Sequence, residues 1–353
     1  MTCYRAGLER DAAMTGVLIR GDGVAARCCA HLLARSGVPV SFQPNNRPRL
    51  PAIMLSEPAQ ALIREIFDRE HLFRDLPRIR KRIVAWGRSA NPVELEHSAV
   101  VVSEEQLLDS LGEATTNAAA WVDINAGINA DIGWTVFASM PLPVAAAEHR
   151  FGSRIATAMR AELKPTAEPD ACWIESIEDG WLFLIANAPG CGWLLSVGQR
   201  PHELMDKSRL IREQIARYQP AGAQFAASPR IMAPLGEPGW IACGTAAMAF
   251  DPLCGDGTAH AVREAILASA VIGAAARGDD PVELLAHYEA RLTAGFRRHL
   301  AHCLEYYGSG CGGSWWQAEA ESVTQGLDWC GHKLSHHTAF RYRLDGLELR
   351  AIG

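Results

Sequence analysis

Three features that mark other classes of protein are missing from this sequence. Its ten cysteines include no Cys-x-x-C pair, its first residues contain no apolar signal core, and no uninterrupted apolar run reaches the length of a membrane span. The most apolar stretch, residues 259–276, contains Arg263, Glu264 and many small residues, so we expect a packed helix of a soluble protein. These absences favour a reduced, cytoplasmic setting in which the cysteines act as small buried hydrophobes.

An excess of positive charge is also missing. The chain carries 34 lysines and arginines against 40 aspartates and glutamates, which gives a net charge of −6. Because nucleic-acid binding requires a basic face, this balance argues against nucleic acid as a partner. A short basic run at residues 78–82 is interpreted as a solvated helix face. Neither a G-x-S-x-G elbow nor a Walker A loop occurs, which disfavours a serine hydrolase and a P-loop enzyme.

The beginning of the chain predicts a strand, a helix and a second strand. Residues 16–20 are mostly apolar, residues 25–36 are helical and rich in small side chains, and residues 38–42 are again strand-like. This is the size of a βαβ unit. The next predicted elements are a helix at 57–67 with Ser56 as its N-cap, a strand at 97–102, a helix to 112 that begins with capping-box spacing at 103–106, and a strand at 118–122.

The centre of the chain has a different pattern, with short β-branched or aromatic runs between turn residues. We expect an antiparallel sheet from residues 134–140, 171–177, 181–186 and 193–197, with a helix at 201–218 packed on it. The elements predicted after it are a strand at 240–243, helices at 257–277 and 281–306, an irregular tail from residue 308, and a closing strand at 340–349.

The first motif is Gly21-Asp22-Gly23-Val24-Ala25-Ala26, a G-x-G-x-x-A between the first strand and the first helix. Gly21 permits a tight turn, Gly23 lets the backbone approach a pyrophosphate, and Ala26 allows close packing of helix on strand. The helix N-terminus, at Val24 and Ala25, provides N–H donors and a positive potential. The order strand, turn, helix, strand favours a dinucleotide site over a plain βα turn.

The end of the second strand departs from the usual dinucleotide-binding pattern. An acidic residue at this position normally binds the ribose hydroxyls. Here Gln43 and Asn45 are the candidates, and an amide can hydrogen-bond a hydroxyl without adding charge.

The second motif lies between a predicted strand and a predicted helix. It consists of Gly244-Thr245-Ala246-Ala247 and of Phe250-Asp251-Pro252-Leu253-Cys254-Gly255-Asp256-Gly257. This segment resembles the second FAD fingerprint of the p-hydroxybenzoate hydroxylase and tryptophan-halogenase superfamily. In that family a strand ends in Gly-Asp-Ala-Ala, and an aromatic-Asp-Pro stretch leads into a glycine turn and a helix.

The resemblance implies FAD as the cofactor. In the family, the Asp of Gly-Asp-Ala-Ala holds the ribityl and pyrophosphate part of FAD, and Thr245 stands at that position here. The stretch after Asp-Pro passes the isoalloxazine, where a helix dipole stabilises a reduced anionic flavin. The cofactor-binding residues that it implies in this segment are Gly244, Thr245, Ala246, Asp251, Pro252, Gly255 and Gly257.

Shorter segments extend the resemblance over most of the chain. Asp179-Gly180-Trp181 is similar to a hairpin of the family's substrate domain. Tyr306-Tyr307-Gly308-Ser309 and Trp315-Trp316 are similar to the aromatic C-terminal segment of its halogenase-like branch, which includes flavoproteins that mature quinone cofactors.

The implied fold is α/β with an α+β insert. We expect a discontinuous Rossmann-like FAD-binding domain at residues 1–125 and 225–280, an antiparallel-sheet substrate domain at 126–224, and a C-terminal helix and aromatic tail at 281–353.

The implied activity is that of an FAD-dependent oxidoreductase. The leading hypothesis is a monooxygenase that oxidises an electron-rich aromatic group through a flavin C4a-hydroperoxide. One alternative is a flavoprotein that modifies a peptide- or protein-bound residue in quinone-cofactor maturation. Another, motivated by Gln43 and Thr245, is a degenerate flavoprotein with a non-catalytic partner role. No second G-x-G-x-x-G is visible, so reductant would come from NAD(P)H or a flavin reductase.

Five residues are weighed for roles in catalysis or substrate binding. His260 lies four residues after Asp256 and is interpreted either as an acid–base group facing the flavin or as a packed histidine. Lys81, before Trp86, is the one candidate for the catalytic lysine of halogenases, but a surface lysine is favoured, which places halogenation below hydroxylation. Trp173, Trp181 and Trp193 are candidates for lining the substrate site, with core packing as the alternative.

One cysteine and three histidines near the end of the chain are of the residue types that bind metals. Cys330, His332, His336 and His337 offer sulfur and nitrogen donors, but no second cysteine pair completes a zinc set, so no metal is predicted. Cys28 and Cys29 follow the first glycine turn and are interpreted as core packing, because adjacent residues on a helix point apart.

Overall fold

The computed structural model describes residues 16–45, 47–88, 91–115, 132–143, 146–219, 222–336 and 341–352. Helices in these ranges are α1 Val24–Arg35, α2 Glu57–Phe67, α3 Glu104–Thr115, α4 Pro201–Lys207, α5 Ile211–Gln214, α6 Gly257–Ala276, α7 Pro281–Gly308 and α8 Ser314–Ser335, with short 3-10 turns at Gly244–Ala246 and Pro252–Cys254. The strands are β1 Gly16–Arg20, β2 Val40–Gln43, β3 Ile53–Ser56, β4 Arg78–Ala85, β5 Val93–Val102, β6 Ile132–Phe137, β7 Ala147–Arg150, β8 Ile155–Leu163, β9 Ala171–Ile177, β10 Gly180–Ala188, β11 Cys191–Gly198, β12 Ile215–Tyr218, β13 Ala223–Ala226, β14 Arg230–Ala233, β15 Gly236–Glu237, β16 Trp240–Ala242, β17 Met248–Ala249, β18 Tyr342–Asp345 and β19 Glu348–Ala351.

The early helices begin at the caps that the sequence predicts. Ser56 Oγ accepts a hydrogen bond from Ala59 N at 3.4 Å at the start of α2. At the start of α3, Gln106 N donates to Ser103 Oγ at 3.1 Å and Ser103 N donates to Gln106 Oε1 at 3.2 Å, which is the predicted capping box. These local hydrogen bonds satisfy N–H groups that the helix itself leaves without partners.

A sheet of five strands in the order β15-β16-β6-β1-β2 forms the first layer. The pairs β1–β2, β1–β6 and β6–β16 are parallel, and only the short β15 runs antiparallel. The helices α1 and α6 contact one another and contribute buried faces to the same hydrophobic core. Because the parallel strands end at one edge, the segments that follow β1, β2, β6 and β16 meet there.

The second large sheet has the order β12-β8-β11-β10-β9-β4-β5-β3, with β13 also paired to β8. The predicted hairpins β9–β10 and β10–β11 are antiparallel, while β4 and β9 pair in parallel. The mixed fold with a C-terminal helical segment agrees with the predicted class. The limits of the three domains stay a prediction.

Two strands lie in places that the sequence pattern did not predict. The strand expected at 134–140 in the antiparallel sheet is β6, which pairs in parallel between β1 and β16. Its β-branched and aromatic side chains suit either sheet, so composition could not assign it. The basic run at 78–82 is the start of β4 and not a helix face, because Ile79 is buried between exposed arginines, which is the two-residue period of a strand.

The helix expected at 201–218 is divided by a buried carboxylate. After α4, the Glu175 carboxylate accepts hydrogen bonds from Ser208 Oγ and from the backbone N–H groups of Arg209, Leu210 and Ile211. These four bonds turn the chain into the short α5 and then into β12. A contact with a residue 33 to 36 positions earlier is invisible to local periodicity.

The tail is more regular than its composition suggested. Residues 314–335 form the 22-residue helix α8, in which Trp316, Val323 and Cys330 recur every seven residues on the buried face. The closing strand expected at 340–349 is instead the β18–β19 hairpin, with Gly346 at φ +60 in its turn. The strand expected at 118–122, together with His337, lies outside the described residues.

The apolar stretch predicted to be a packed helix is α6. By length and composition it could cross a membrane, but 67% of its most apolar window is buried inside the protein. This burial is that of a core helix.

Candidate functional site

The first glycine turn lies at the carboxyl edge of the parallel sheet, directly after β1. Gly21 has φ +117, and a Cβ atom there would lie 2.9 Å from Ser139 Oγ and 3.1 Å from Ser139 N. Gly21 N donates to the backbone oxygen of Gln43 at 2.8 Å, which joins the ends of β1 and β2. Only glycine can adopt this φ angle and also leave room for Ser139 at this distance.

The helix that follows this turn begins without a side-chain cap. Gly23 is the N-cap of α1 and makes no side-chain hydrogen bond, while Val24, Ala25 and Ala26 are buried in its first turn. The backbone N–H groups of this turn and the positive end of the helix dipole are therefore available to an anion.

The second glycine segment packs directly against the first. Gly244 has φ +57, and a Cβ atom there would lie 2.8 Å from Ala25 Cβ. Gly244 N donates to Glu264 Oε2 at 2.7 Å, and Ala246 is fully buried. Thr245 is exposed and its Oγ1 donates to the Ala138 backbone oxygen at 3.3 Å. The structure thus brings the two motifs together at one edge of the sheet, more than 200 positions apart in the sequence.

A second helix N-terminus lies at the end of this segment. Asp251 Oδ1 accepts from Leu253 N at 2.9 Å and caps the 3-10 turn that contains Pro252, and Gly255 follows at φ +66. The N-cap of α6 is Asp256, which makes no side-chain cap hydrogen bond, and a Cβ atom at Gly257 would meet open space. This helix start also presents N–H donors to an open region.

The polar residues at the end of β2 have different neighbours. The Gln43 side chain is exposed, whereas Asn45 Nδ2 donates to Ser139 Oγ and to the Met140 backbone oxygen, both at 3.2 Å. Of the two candidates, Gln43 is the side chain left open to a ligand.

Two arginines that the sequence did not single out lie over the first turn. Arg49 forms an ion pair with Asp22, and Arg47 Nη1 donates to Glu104 Oε2 at 2.9 Å. A Cβ atom at Gly23 would lie 3.1 Å from Arg47 Nη2, so this guanidinium borders the start of α1. They lie in the loop between β2 and β3, where ion pairs with Glu104 of α3 and with Asp22 position them.

A cavity of about 760 Å³ lies between the large sheet, the start of α6 and α7. His260 lines it and stacks on Phe250, with ring centroids 4.0 Å apart and planes 16° apart. Burial lowers the pKa of His260 to about 4, against a smaller opposing effect of Asp256. At neutral pH the imidazole is therefore uncharged and can accept a hydrogen bond.

The other candidate residues lie away from this cavity. Lys81 projects from β4 and forms ion pairs with Glu94 at 3.1 Å and Glu168 at 2.9 Å. Trp173 and Trp181 are each 1% exposed within hydrophobic cores, and Trp193 is half-buried beneath Arg160. Among the described residues that line the cavity, none of the three tryptophans occurs.

The cysteines predicted to pack in the core and the described candidate metal ligands near the end of the chain do not line the cavity either. Cys28 and Cys29 are fully buried in the main core. Cys330 is buried on α8, while His332 and His336 are exposed with ring centroids 4.7 Å apart.

A buried charge network joins the second glycine segment to the C-terminal helices. Arg154 is fully buried, its Nε lies 2.9 Å from Asp251 Oδ2, and its Nη1 pairs with Glu319 on α8. Tyr307 on α7 donates to Asp251 Oδ2 at 2.9 Å and accepts from Trp181 Nε1 at 3.1 Å. Burial raises the pKa of Asp251, while Arg154 opposes the rise. Asp251, predicted as a cofactor contact, therefore has its carboxylate within this network.

Acid is expected to destabilise the fold through buried neutral histidines. Burial lowers the pKa of His97, His260 and His287 to about 4 each. In the unfolded chain they titrate near ~6.5, so their stabilising effect is complete above that pH and is lost as the pH falls toward 4. We expect the free energy of unfolding to fall by on the order of several kcal/mol between pH 7.5 and pH 5. Urea unfolding at a series of pH values measures this free energy. If it does not change with pH, the three histidines do not have lowered pKa values in the fold.

Solved structures that share this fold include flavin-dependent enzymes. No protein-family model matches the chain, and no curated protein matches it. Three solved structures show the similarity. The peptidyl tryptophan dihydroxylase QhpG, essential for tryptophylquinone cofactor biogenesis, has 20% identity and a TM-score of 0.71 over 87% of this chain and 79% of its own.

Two further solved structures have the same fold. The myxobacterial chondrochloren halogenase CndH, a variant of FAD-dependent halogenases, has 14% identity and a TM-score of 0.73 over 91% of this chain and 90% of its own. The flavin-dependent monooxygenase PieE, in complex with FAD and substrate, has 13% identity and a TM-score of 0.60 over 91% of this chain and 72% of its own. At these identities the similarity confirms the predicted fold.

Proposed function

We propose that this chain is an FAD-dependent monooxygenase that acts on an electron-rich aromatic group. The observation that carries the proposal is the meeting of two glycine segments and two helix N-termini without side-chain caps at one sheet edge. The solved structures with this fold include a halogenase and a monooxygenase that use flavin. A nucleotide cofactor would account for the uncapped helix N-termini, and an oxidative reaction would agree with the flavin-dependent enzymes that share the fold.

The residues present fit the diphosphate and ribityl parts of FAD. Gly21 and Gly23 allow a tight backbone turn at the start of α1, whose uncapped N–H groups suit a pyrophosphate. Arg47 and Arg49 border this turn in ion pairs with Glu104 and Asp22, and Gln43 is open to the adenosine ribose. When bound, FAD supplies the electron transfer to dioxygen that a monooxygenase requires.

The second segment fits the flavin end of the cofactor. Exposed Thr245 offers a hydroxyl toward the ribityl chain in place of the family's aspartate. The N–H group of Gly257 and the dipole of α6 favour negative charge on a reduced ring. His260, neutral and lining the cavity, is placed to accept a hydrogen bond from the O–H or N–H of a phenol- or indole-type substrate.

A peptidyl substrate is the second candidate, and the similarity to the peptidyl tryptophan dihydroxylase QhpG favours it. The cavity of about 760 Å³ is large enough for an aromatic side chain with its flanking backbone. The proposal includes NAD(P)H or a flavin reductase as the source of electrons. It also includes a cytoplasmic location, in keeping with nine described cysteines that form no disulfide.

The first test is the colour and the oxygen chemistry of the purified full chain. We expect flavin absorption after isolation or after addition of FAD. We also expect the protein reduced by NAD(P)H or dithionite to transfer an atom of labelled dioxygen to an aromatic compound. Comparing free tryptophan and phenols with tryptophan-containing peptides decides between the two substrate classes. A colourless protein that FAD cannot restore would contradict the enzyme and support a non-catalytic flavoprotein relative.

A further inference from the structure

A cluster of soft metal-ligating side chains lies where the turn before α6 meets α7. Cys254 ends the 3-10 turn Pro252–Cys254, and His299 and Cys303 lie four residues apart on one face of α7. The two sulfur atoms are 3.8 Å apart, and Cys303 Sγ is 3.4 Å from His299 Nε2. All three ligand atoms lie within 4.8 Å of one another.

These separations match those of ligands around a tetrahedral metal ion. Zinc binds sulfur at ~2.3 Å and imidazole nitrogen at ~2.0 Å, so tetrahedral angles place two sulfurs ~3.8 Å apart and sulfur and nitrogen ~3.5 Å apart. The observed 3.8 Å and 3.4 Å agree with both values. A disulfide would need the two sulfurs to approach to ~2.05 Å, so at 3.8 Å the two cysteines are free thiols available to a metal.

The histidine presents the correct nitrogen. Asp251 N donates to His299 Nε2 at 2.9 Å, and because an amide N–H can only donate, Nε2 carries the lone pair and the proton is on Nδ1. This is the tautomer that binds a metal through Nε2, the nitrogen nearest Cys303. Metal binding would replace one hydrogen bond from the Asp251 backbone.

We propose that Cys254, His299 and Cys303 form a binding site for a transition-metal ion of the zinc class. Cys254 and His299 both line the cavity, which provides an entry path for the ion and an open fourth position for water. Cys303 is fully buried and closes the inner side of the site. The bound ion would tie the start of α6 to α7, two elements that the chain separates by 49 residues at these cysteines.

The test measures metal on the full-length protein, purified under reducing conditions without chelator. We expect about one equivalent of zinc per chain, and we expect Co²⁺ titration of chelator-stripped protein to give a thiolate-to-cobalt charge-transfer band with the visible bands of a tetrahedral ion. Both measurements are made with and without FAD, so a failure of the flavin proposal does not affect them.

Single variants locate the site. Cys254→Ser, His299→Ala and Cys303→Ser should each lower zinc affinity by roughly 100-fold or more, since each removes one of three ligands. Cys311→Ser, at a half-buried cysteine outside the cluster, and Cys330→Ser, at a buried one, should leave it unchanged. If a variant does not fold, the cobalt spectrum of the wild type still shows whether thiolates bind the metal ion. No zinc on isolation together with no thiolate band on titration, or equal affinity in all variants, would overturn the proposal.

Discussion

Replacement of Arg154 by methionine is expected to lower the free energy of unfolding by about 3–5 kcal/mol. Arg154 is the cation between the carboxylates of Asp251 and Glu319, and all three side chains are at most 2% exposed. Removing it leaves two carboxylates in the protein interior without a counter-charge. Urea unfolding at neutral pH measures the loss.

The matched control is Arg160→Met. Arg160 lies on β8, six residues further along, where it is exposed and sits 5.6 Å above the Trp193 ring. We expect this variant to lose less than ~1 kcal/mol, because an exposed cation is already solvated. If both variants lose the same free energy of unfolding, the buried network stabilises the fold no more than an exposed arginine does.

The pH dependence of the Arg154→Met penalty provides an independent readout. Without the arginine, the pKa of the buried Asp251 carboxyl rises further above its value in the unfolded chain. The penalty is then greatest at high pH and shrinks as the pH falls through this raised pKa, because the carboxylate binds a proton in the fold. A penalty that stays constant from pH 8 to pH 5 would point to lost packing instead of uncompensated charge.

Substitution of Gly21 by valine is expected to weaken FAD binding by about 100-fold or more, which corresponds to about 2.7 kcal/mol. The side chain would meet Ser139 Oγ at 2.9 Å and force a residue with a Cβ atom to adopt φ +117. The end of β1 must then move, and the distance between the turn and the start of α1 changes. Flavin fluorescence during FAD titration measures the dissociation constant.

Two further variants separate the cofactor site from the backbone effect. Gly37→Val places the same side chain at φ +76 beyond the other end of α1, with nothing within 4 Å, so it should lower stability without changing FAD affinity. Gly23→Ala, at φ −76, asks only that the end of the Arg47 side chain move by a few tenths of an ångström. It should fold normally and weaken FAD binding by about tenfold. Unaltered affinity in both Gly21→Val and Gly23→Ala would exclude this turn as the pyrophosphate site.

Features that depend on residues close together in the sequence occur where they were predicted. The capping box at Ser103 and Gln106 and the strand–turn–helix around Gly21 depend on residues within a few positions of one another, and they occur where predicted. The seven-residue spacing of Trp316 and Val323 was also present in the sequence. The tail was nevertheless predicted to be irregular because of its glycine and histidine content, and the helix α8 was missed. The predicted fold is confirmed by the solved structures, whose sequence identity is at most 20% in the three compared.

The sequence by itself determined the backbone at both glycine segments, because φ angles near +117 at Gly21 and +57 at Gly244 are accessible to glycine and strongly disfavoured for other residues. It also predicted the helices that follow the two segments, which are α1 and α6. Tertiary structure alone decided that Gly244 packs on Ala25, that Arg154 meets Glu319 across 165 residues, and that Cys254 lies beside Cys303. The physical reason is range, since backbone angles and caps are set by neighbours in the chain, whereas ion pairs and ligand clusters exist only after distant elements have packed.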